Sequence, residues 1–386
     1  MKGLSIFFKP ISENVLANIK HESQAGNKID VFIGTDFPNY TQAKLAIVGI
    51  VDKEEVELGL LAADAVREQF YSLYTKADYS TLVDLGNLYP GETEKDTAYA
   101  LTEVISELVK RKVIPIIIGS NVANTFYQYK AYERLEQLVN LVSISGKVSI
   151  GNHEEALASH NYVGHIIVQK PNVLFNYCNI GYQTYLNSPE NIDLLDKLYF
   201  DSLRLGEAQS DVKKAEPFIR YADIVSVDLS SVRFSELSAA INNQPNGWYG
   251  EEICQLARYA GMSDKLTSFS LWGYSPLKDV SQVSASLIGQ ILWCFIDGYL
   301  NRKHDFPSDS KEDYIKYRVS LEQGQHELIF YKSEKTNRWW IEVPYPPDQK
   351  FRFQRHQLVP CSYEDYLNAT QNNMPDVWWR AYQKLF

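Results

Sequence analysis

The segment Ile224–Ser230, with the sequence IVSVDLS, decides the fold of this chain. It is an apolar run that ends in a single carboxylate, Asp228, with Ser230 two residues later. A near-continuous apolar run is typical of a strand that is covered on both faces, as in a parallel sheet. In open parallel α/β sheets, ligands and metals bind at the carboxyl ends of the strands, which is where Asp228 would lie. This strand end therefore bears on both fold and function.

Strand-like and helix-like segments alternate on both sides of this strand. The other predicted strands cover residues 43–50, 113–119, 138–144, 164–168 and 266–272. The predicted helices cover residues 54–74, 93–112, 124–135, 190–203, 212–221, 249–262 and 281–302. Repeated β-α-β order with buried strands predicts an α/β fold, a three-layer α/β/α sandwich around a mostly parallel sheet.

The pattern changes at the polar stretch 306–313, which is suited to a linker. Beyond it, residues 314–321, 327–331 and 339–343 indicate antiparallel strands, with a turn at 333–337, and residues 362–386 indicate one or two helices broken near Pro375. The sequence thus predicts an α/β domain over 1–305 and a small α+β appendage over 306–386. Neighbouring strand residues point to opposite faces, so Trp339 or Trp340 must face the main domain, a partner or water.

Composition narrows the classes of function. The chain has 386 residues and a formal net charge of −10, which argues against nucleic acid as the main partner. No unbroken apolar stretch suggests a membrane helix, and the N-terminus lacks the pattern of a signal peptide. The four cysteines lie far apart without zinc-ligand spacing, as expected for a reduced cytoplasmic protein.

Four of the apolar runs end in small or polar residues, and in a doubly wound sheet such ends converge on one crevice. They are Ile118–Val122, Ser145–Ser149, Ser226–Ser230 and Trp272–Pro276. Their order and spacing over residues 40–305 resemble the ureohydrolase superfamily of arginases, agmatinases and formimidoylglutamases. Pro245–Glu252 resembles the segment that opens the next helix in that family, and Leu203–Glu207 looks closest to the formimidoylglutamase-like branch. The resemblance implies an arginase-like fold.

In that family a pair of manganese ions activates a bridging hydroxide, which attacks a guanidino or formimino carbon. The resemblance places the metal-ligand positions of the family at Asn121, Ser145, Lys147, Ser149, Asp228 and Ser230. Asp228 alone among these six carries a side chain that the family uses. The resemblance also places a later glutamate near Gly273, and a loop histidine for proton transfer at His153, His160 or His165.

A site with one carboxylate and one ammonium has no net negative charge and would repel divalent cations. We therefore expect no manganese or other cofactor, and a buried ion pair between Lys147 and Asp228. The leading expectation is a non-catalytic protein with a binding or regulatory role, forming a homo-oligomer or a hetero-oligomer with a related subunit. The four tryptophans of the appendage would offer a contact surface or form the core of the appendage. They are Trp339, Trp340, Trp378 and Trp379.

Two alternatives from other classes stay open. One is a working hydrolase of the formimidoylglutamase or agmatinase type, with rearranged metal ligands drawn from His153, Glu154, His160 or His165 together with Asp228. The other is a sensor that binds a small molecule in the vacated crevice. The plainer interpretation of the three histidines is that they are ordinary surface or structurally satisfied residues, and Asp228 could serve structure alone.

Overall fold

The computed structural model describes residues 3–307, 311, 313–321, 326–349 and 353–385. A ten-stranded sheet forms its larger part, in the order β1-β4-β3-β5-β10-β9-β6-β7-β8 with β2 also paired to β4. β1 runs antiparallel to β4 and the other pairs are parallel. The strands are β1 (Phe8–Lys9), β2 (Asp30–Val31), β3 (Leu45–Ile50), β4 (Leu82–Leu88), β5 (Ile114–Gly119), β6 (Val139–Ile144), β7 (Leu174–Tyr182), β8 (Asp201–Arg204), β9 (Ile224–Asp228) and β10 (Ser268–Trp272).

Helices cover both faces of this sheet. They are α1 (Lys53–Leu58), α2 (Ala62–Ser72), α3 (Glu94–Lys110), α4 (Thr125–Glu133), α5 (Tyr162–Val168), α6 (Pro189–Lys197), α7 (Leu205–Ser210), α8 (Glu216–Tyr221), α9 (Gly250–Met262) and α10 (Val283–Leu300). Side chains of α2, α9 and α10 pack with one face of the strands, and side chains of α3, α4 and α5 pack with the other. Two separate apolar cores on either side of one sheet confirm the predicted three-layer sandwich.

The C-terminal part carries a second sheet of four antiparallel strands in sequence order. These are β11 (Tyr314–Leu321), β12 (His326–Ser333), β13 (Trp339–Glu342) and β14 (Leu358–Cys361), followed by α11 (Tyr363–Thr370) and α12 (Asp376–Leu385). Trp339 packs in the core of this part, stacked on Tyr366 with ring centroids 4.9 Å apart. Trp340 lies in a second cluster with Tyr331 and Leu358, and the guanidinium carbon of Arg220 on α8 lies 4.4 Å from the centroid of its ring. The expectation that one of the two tryptophans faces away from the other is confirmed, and Trp340 contacts a helix of the larger part through Arg220. Part of the predicted linker, residues 308–310 and 312, lies outside the described residues, and the domain boundary stays a prediction.

One predicted strand is wrong, because residues 164–168 lie within the helix α5. The buried side chains Tyr162, Val163 and Ile166 follow helical spacing. At Gly164 a Cβ atom would lie 2.0 Å from the carbonyl oxygen of Ile150, so the helix approaches its neighbour too closely for any other residue. The run of β-branched residues imitated a strand, and tertiary packing overrode that preference.

The structure cuts one predicted helix short and divides another. The helix expected over 190–203 ends at Lys197, Tyr199 adopts a left-handed φ of 56°, and β8 follows as an edge strand on β7. The helix expected over 54–74 is divided into α1 and α2 by Gly59, whose φ of 64° ends the first helix. The strands β4 and β7 were not predicted, because buried asparagine and aspartate side chains interrupt their apolar patterns.

The helix α10 is apolar and long enough to cross a bilayer by length and composition alone, which qualifies the expectation drawn from the sequence. In the fold it is a core helix. It packs against α9 and α2, with Ile288, Leu292 and Phe295 fully buried in the same apolar core.

Candidate functional site

The carboxyl ends of five neighbouring strands meet at one crevice. In sheet order these strands are β3, β5, β10, β9 and β6. The loops that follow them surround a cavity of about 270 Å³. Its polar lining residues are Asp52, Ser120, Asn121, Lys147, Ser149, Ser159, His160, Asp228, Ser230, Asn242 and Gln244. This is the position at which open parallel sheets bind ligands.

Asp228 is the last residue of β9 and is half-buried at the floor of this crevice. Its carboxylate accepts a hydrogen bond from the backbone N–H of Ser230 at 2.9 Å and one from the hydroxyl of Ser145 at 3.2 Å. Burial raises the pKa of Asp228, while these hydrogen bonds and the charge of Lys147 oppose the shift. The strand end thus holds a partly desolvated carboxylate whose hydrogen-bond donors are neutral groups.

The structure brings the predicted positions together. Asn121, Lys147, Ser149 and Ser230 line the cavity with Asp228, and Ser145 lies buried behind them in contact with the carboxylate. Gly273, where the resemblance placed a glutamate, also lines the cavity. Its φ of 93° is left-handed, and a Cβ atom there would lie 3.5 Å from Asp228 Oδ1. The predicted convergence of these positions is therefore confirmed, while their role as a functional site stays a prediction.

The predicted buried ion pair between Lys147 and Asp228 is wrong. Lys147 is exposed, and among the described residues no salt bridge within 4.0 Å joins its ammonium group to a carboxylate. A long, flexible lysine at the rim keeps its charge in water, because burial of an ammonium group is costly. The two charges share the crevice without direct contact.

The three candidate loop histidines separate in the structure. His160 lines the cavity, and its Nε2 atom lies 3.3 Å from a carboxylate oxygen of Glu155 in an exposed pair. His165 directs its Nε2 atom to the backbone carbonyl of Glu155 at 3.1 Å and does not line the cavity. His153 and Glu154 are exposed and also lie outside the lining. Of the three histidines, His160 alone lines the crevice.

Asp52 is a second carboxylate in the cavity, and sequence reasoning missed it. It follows β3 and begins α1, and its side chain accepts a hydrogen bond from the hydroxyl of Ser120. Burial raises the pKa of Asp52. The rule that located Asp228 would also have found it, because Asp52 directly follows the buried apolar run that contains β3.

Two residues of the lining have left-handed backbone conformations although they are not glycine. Ser149 has a φ of 55° and Asn242 a φ of 62°. Such conformations are uncommon outside glycine and tend to cluster at functional sites. Both residues line the cavity. The crevice is therefore a polar site in which two of the lining residues adopt left-handed backbone conformations.

The crevice contains few side chains of the types that bind metal ions. Across the part of the chain that the structure describes, no three or more His, Cys, Asp or Glu side chains are grouped so as to hold a metal ion. The crevice itself offers Asp52, Asp228 and the exposed His160 as ligand types. Hydroxyl, amide and ammonium groups make up the rest of its polar lining.

Known proteins resemble this chain in sequence and in fold. No protein-family model matches it. A formimidoylglutamase from Clostridium tetani is 24% identical over 261 residues, which cover 61% of this chain and 75% of that protein.

Many solved structures share the fold, and three of them illustrate the match. The formimidoylglutamase from Bacillus subtilis matches with a TM-score of 0.62 and 14% identity, over 74% of this chain and 95% of that one. The formiminoglutamase with manganese from Trypanosoma cruzi has a TM-score of 0.60 and 15% identity, over 69% and 100%. The agmatine ureohydrolase from Thermoplasma volcanium has a TM-score of 0.55 and 18% identity, over 74% and 97%. The chain therefore has the fold of the ureohydrolase superfamily of arginases, agmatinases and formimidoylglutamases, and in sequence it resembles a formimidoylglutamase.

Proposed function

We propose that this protein uses the ureohydrolase fold to bind a small polar ligand, without a manganese pair and without hydrolysis. One observation carries the proposal. At the convergence of five strand ends, the positions that the resemblance assigns to metal ligands carry an amide, hydroxyls and an ammonium group, with Asp228 as the single exception. The location of the site is kept while the chemistry of its lining differs.

The residues of the crevice do not fit a pair of divalent cations. Two adjacent ions carry four positive charges and require several carboxylates with imidazole support. Here Asp228 is engaged by Ser145 and Ser230, Asp52 is engaged by Ser120, and the ammonium group of Lys147 adds a positive charge to the lining. We therefore derive no metal-dependent step for this chain.

The same lining suits recognition of a polar molecule. Hydroxyls, amides, two carboxylates and a lysine offer both donors and acceptors around a cavity of about 270 Å³. A few placed polar groups in a concave site are typical of small-molecule binding.

Metal analysis and activity assays test the proposal together. We expect the purified protein, after exposure to excess manganese and gel filtration, to retain no stoichiometric metal. We expect no turnover of formimidoylglutamate, agmatine or arginine with added manganese. Two tightly held manganese ions per chain, or turnover that is abolished in the Asp228→Ala variant, would overturn it.

A working formimidoylglutamase is the second candidate, and the 24% identity to the Clostridium tetani protein is the observation that favours it. The resemblance draws the rearranged ligands from His153, Glu154, His160 or His165, together with Asp228. Of the first four, only His160 lines the cavity, whereas His153, Glu154 and His165 do not. Hydrolysis of formimidoylglutamate alone among the three substrates would support this candidate.

Self-association or assembly with a related subunit, as well as the cytoplasmic location, stay predictions. An oligomer would be consistent with a binding or regulatory role. Light scattering on the purified chain, alone and mixed with an active relative, measures the assembly directly, and a monomer under both conditions would contradict it.

A further inference from the structure

We infer that an anion-binding site adjoins the crevice, in a second cavity of about 490 Å³. The inference rests on the proposed function, because it assigns part of the ligand that the crevice would bind. The cavity is lined by Tyr182, Gln183, Thr184, Tyr185, Arg204, Leu205, Gly206, Glu207, Gln209, Arg233, Asn246 and Gly247. Two guanidinium groups against one carboxylate give the lining a net positive charge, in a protein whose overall charge is −10.

Arg233 is the main element of this site. It is half-buried, and its Nε and Nη2 atoms both donate to the carbonyl oxygen of Gly247, at 3.4 and 3.3 Å. Its guanidinium carbon lies 3.4 Å from the centroid of the Tyr249 ring, which fixes the plane of the group. Within the described ranges no carboxylate forms a salt bridge with Arg233. A half-buried, oriented guanidinium without a salt-bridge partner among the described residues is suited to bind an anion.

Arg204 supplies the second cation. It is exposed at the end of β8 and, within the same described ranges, has no salt-bridge partner. Glu207 is the acidic member of the lining, and the described structure pairs it with neither arginine. The hydroxyl of Thr184 adds a neutral donor to the same wall.

The two cavities are built from the same two segments. Residues 182–185 line the second cavity, called the arginine cavity below because Arg204 and Arg233 line it. Leu186, the next residue, lines the crevice. On the other side, Asn246 and Gly247 line the arginine cavity, and Asn242 and Gln244 line the crevice. The backbone N–H of Gln183 donates to the carbonyl of Gly146 in the crevice wall at 3.0 Å. The two cavities therefore lie next to each other, with these segments between them.

The chemistry points to a carboxylate or phosphate group at one end of the ligand. Both anions match the fork of donors on a guanidinium group. The remaining part of the ligand would be polar, to match the hydroxyl and amide groups of the crevice.

Isothermal titration calorimetry with two simple anions tests the site. Glutarate and inorganic phosphate would be titrated into the purified protein at constant ionic strength and without manganese. We expect one or both to bind, and we expect Arg233→Ala and Arg204→Ala each to weaken binding about tenfold, equivalent to about 1.4 kcal/mol. Arg318→Ala, which removes an exposed arginine of the appendage, serves as the matched control and should leave the dissociation constant unchanged.

Selective loss of glutarate binding in the two cavity variants would identify a carboxylate site, and selective loss of phosphate binding would identify a phosphate site. Absence of binding of either anion at millimolar concentration, or an unchanged dissociation constant in both variants, would overturn the inference. Because Arg204 is exposed, its variant stays informative if Arg233→Ala fails to fold. Glutarate contains no C–N bond, so this result does not depend on whether the protein hydrolyses anything.

Discussion

Two regions of this molecule hold carboxylates away from bulk water in opposite ways. Beneath the sheet edge, the fully buried Arg67 binds Asp84 with two hydrogen bonds, of 2.7 and 2.9 Å, and also contacts Asp64 and Asn87. In the crevice, Asp228 accepts hydrogen bonds from the backbone of Ser230 and the hydroxyl of Ser145, with no cation in direct contact. One region satisfies its charges internally, and the other leaves a charge without a counterion.

The difference distinguishes charged side chains that stabilise the fold from charged side chains that are available to bind a ligand. A buried charge with all of its partners in place holds the fold together, and removing one partner is costly. A carboxylate desolvated among neutral groups costs stability, and such a cost is common at sites that bind ligands. Substitutions in the two regions should therefore have opposite signs.

The largest effect is expected at the buried cluster. Arg67→Met removes the guanidinium group and leaves Asp84 buried without its counterion. We expect the free energy of unfolding to fall by about 3–5 kcal/mol, measured by urea denaturation. Arg134→Met breaks an exposed pair with Glu103 and should cost at most about 1 kcal/mol. Similar losses in the two variants would remove the distinction between the regions.

Lys265 sharpens the comparison because it is a buried cation with incomplete pairing. Its ammonium nitrogen lies 3.9 Å from Asp223, which also binds Arg355. Burial lowers the pKa of Lys265 to about 7, against an ordinary value of 10.5. The unfolded chain therefore binds more protons between about pH 7 and 10.5, so this residue makes stability rise with pH in that window, by up to about 1.4 kcal/mol per pH unit.

Unfolding of the wild type and of Lys265→Met across this pH range checks that prediction. The stability of the wild type should rise relative to that of the variant as the pH increases. Parallel curves would show that Lys265 keeps an ordinary pKa in the folded state.

Substitution in the crevice should act in the opposite direction to Arg67→Met. Because burial raises the pKa of Asp228, the charged form destabilises the folded state as the pH rises above the ordinary value of 3.8. Asp228→Asn removes this charge, and we expect it to stabilise the protein at pH 7 by about 1 kcal/mol. The gain should vanish in acid, where Asp228 is protonated. A loss of stability at pH 7 would mean that Asp228 serves the fold, as Asp84 does.

The smallest effect is expected at Lys147. It is exposed and makes no salt bridge within the part of the chain described here, so Lys147→Ala should change the free energy of unfolding by less than about 0.5 kcal/mol. Thermal and urea unfolding measure this change. A loss of stability well above 1 kcal/mol would indicate that Lys147 does form the ion pair with Asp228 that was predicted from the sequence.

The strand ends were predictable because they depend on short-range patterns. An apolar run that ends in a polar residue marks the carboxyl end of a parallel strand. This rule placed Asn121, Ser149 and Asp228 in one crevice. The same rule applied to the run before Asp52 would have found the second carboxylate. The arginine cavity had no comparable signal, because Arg204 and Arg233 lie in segments without a shared pattern.

The sequence by itself determined the layered α/β architecture, the separate character of the C-terminal strands and the place of the crevice, because these follow from the periodicity and order of apolar residues. Only the tertiary structure decided which polar residues could be buried. The strand β4 contains Asp84 and Asn87, whose burial a local sequence pattern would not predict. The guanidinium group of Arg67 on α2 donates hydrogen bonds to both side chains. Likewise, only packing against Ile150 makes the β-branched run near Gly164 a helix. Partners distant in the sequence supply these contacts, and a local pattern cannot report them.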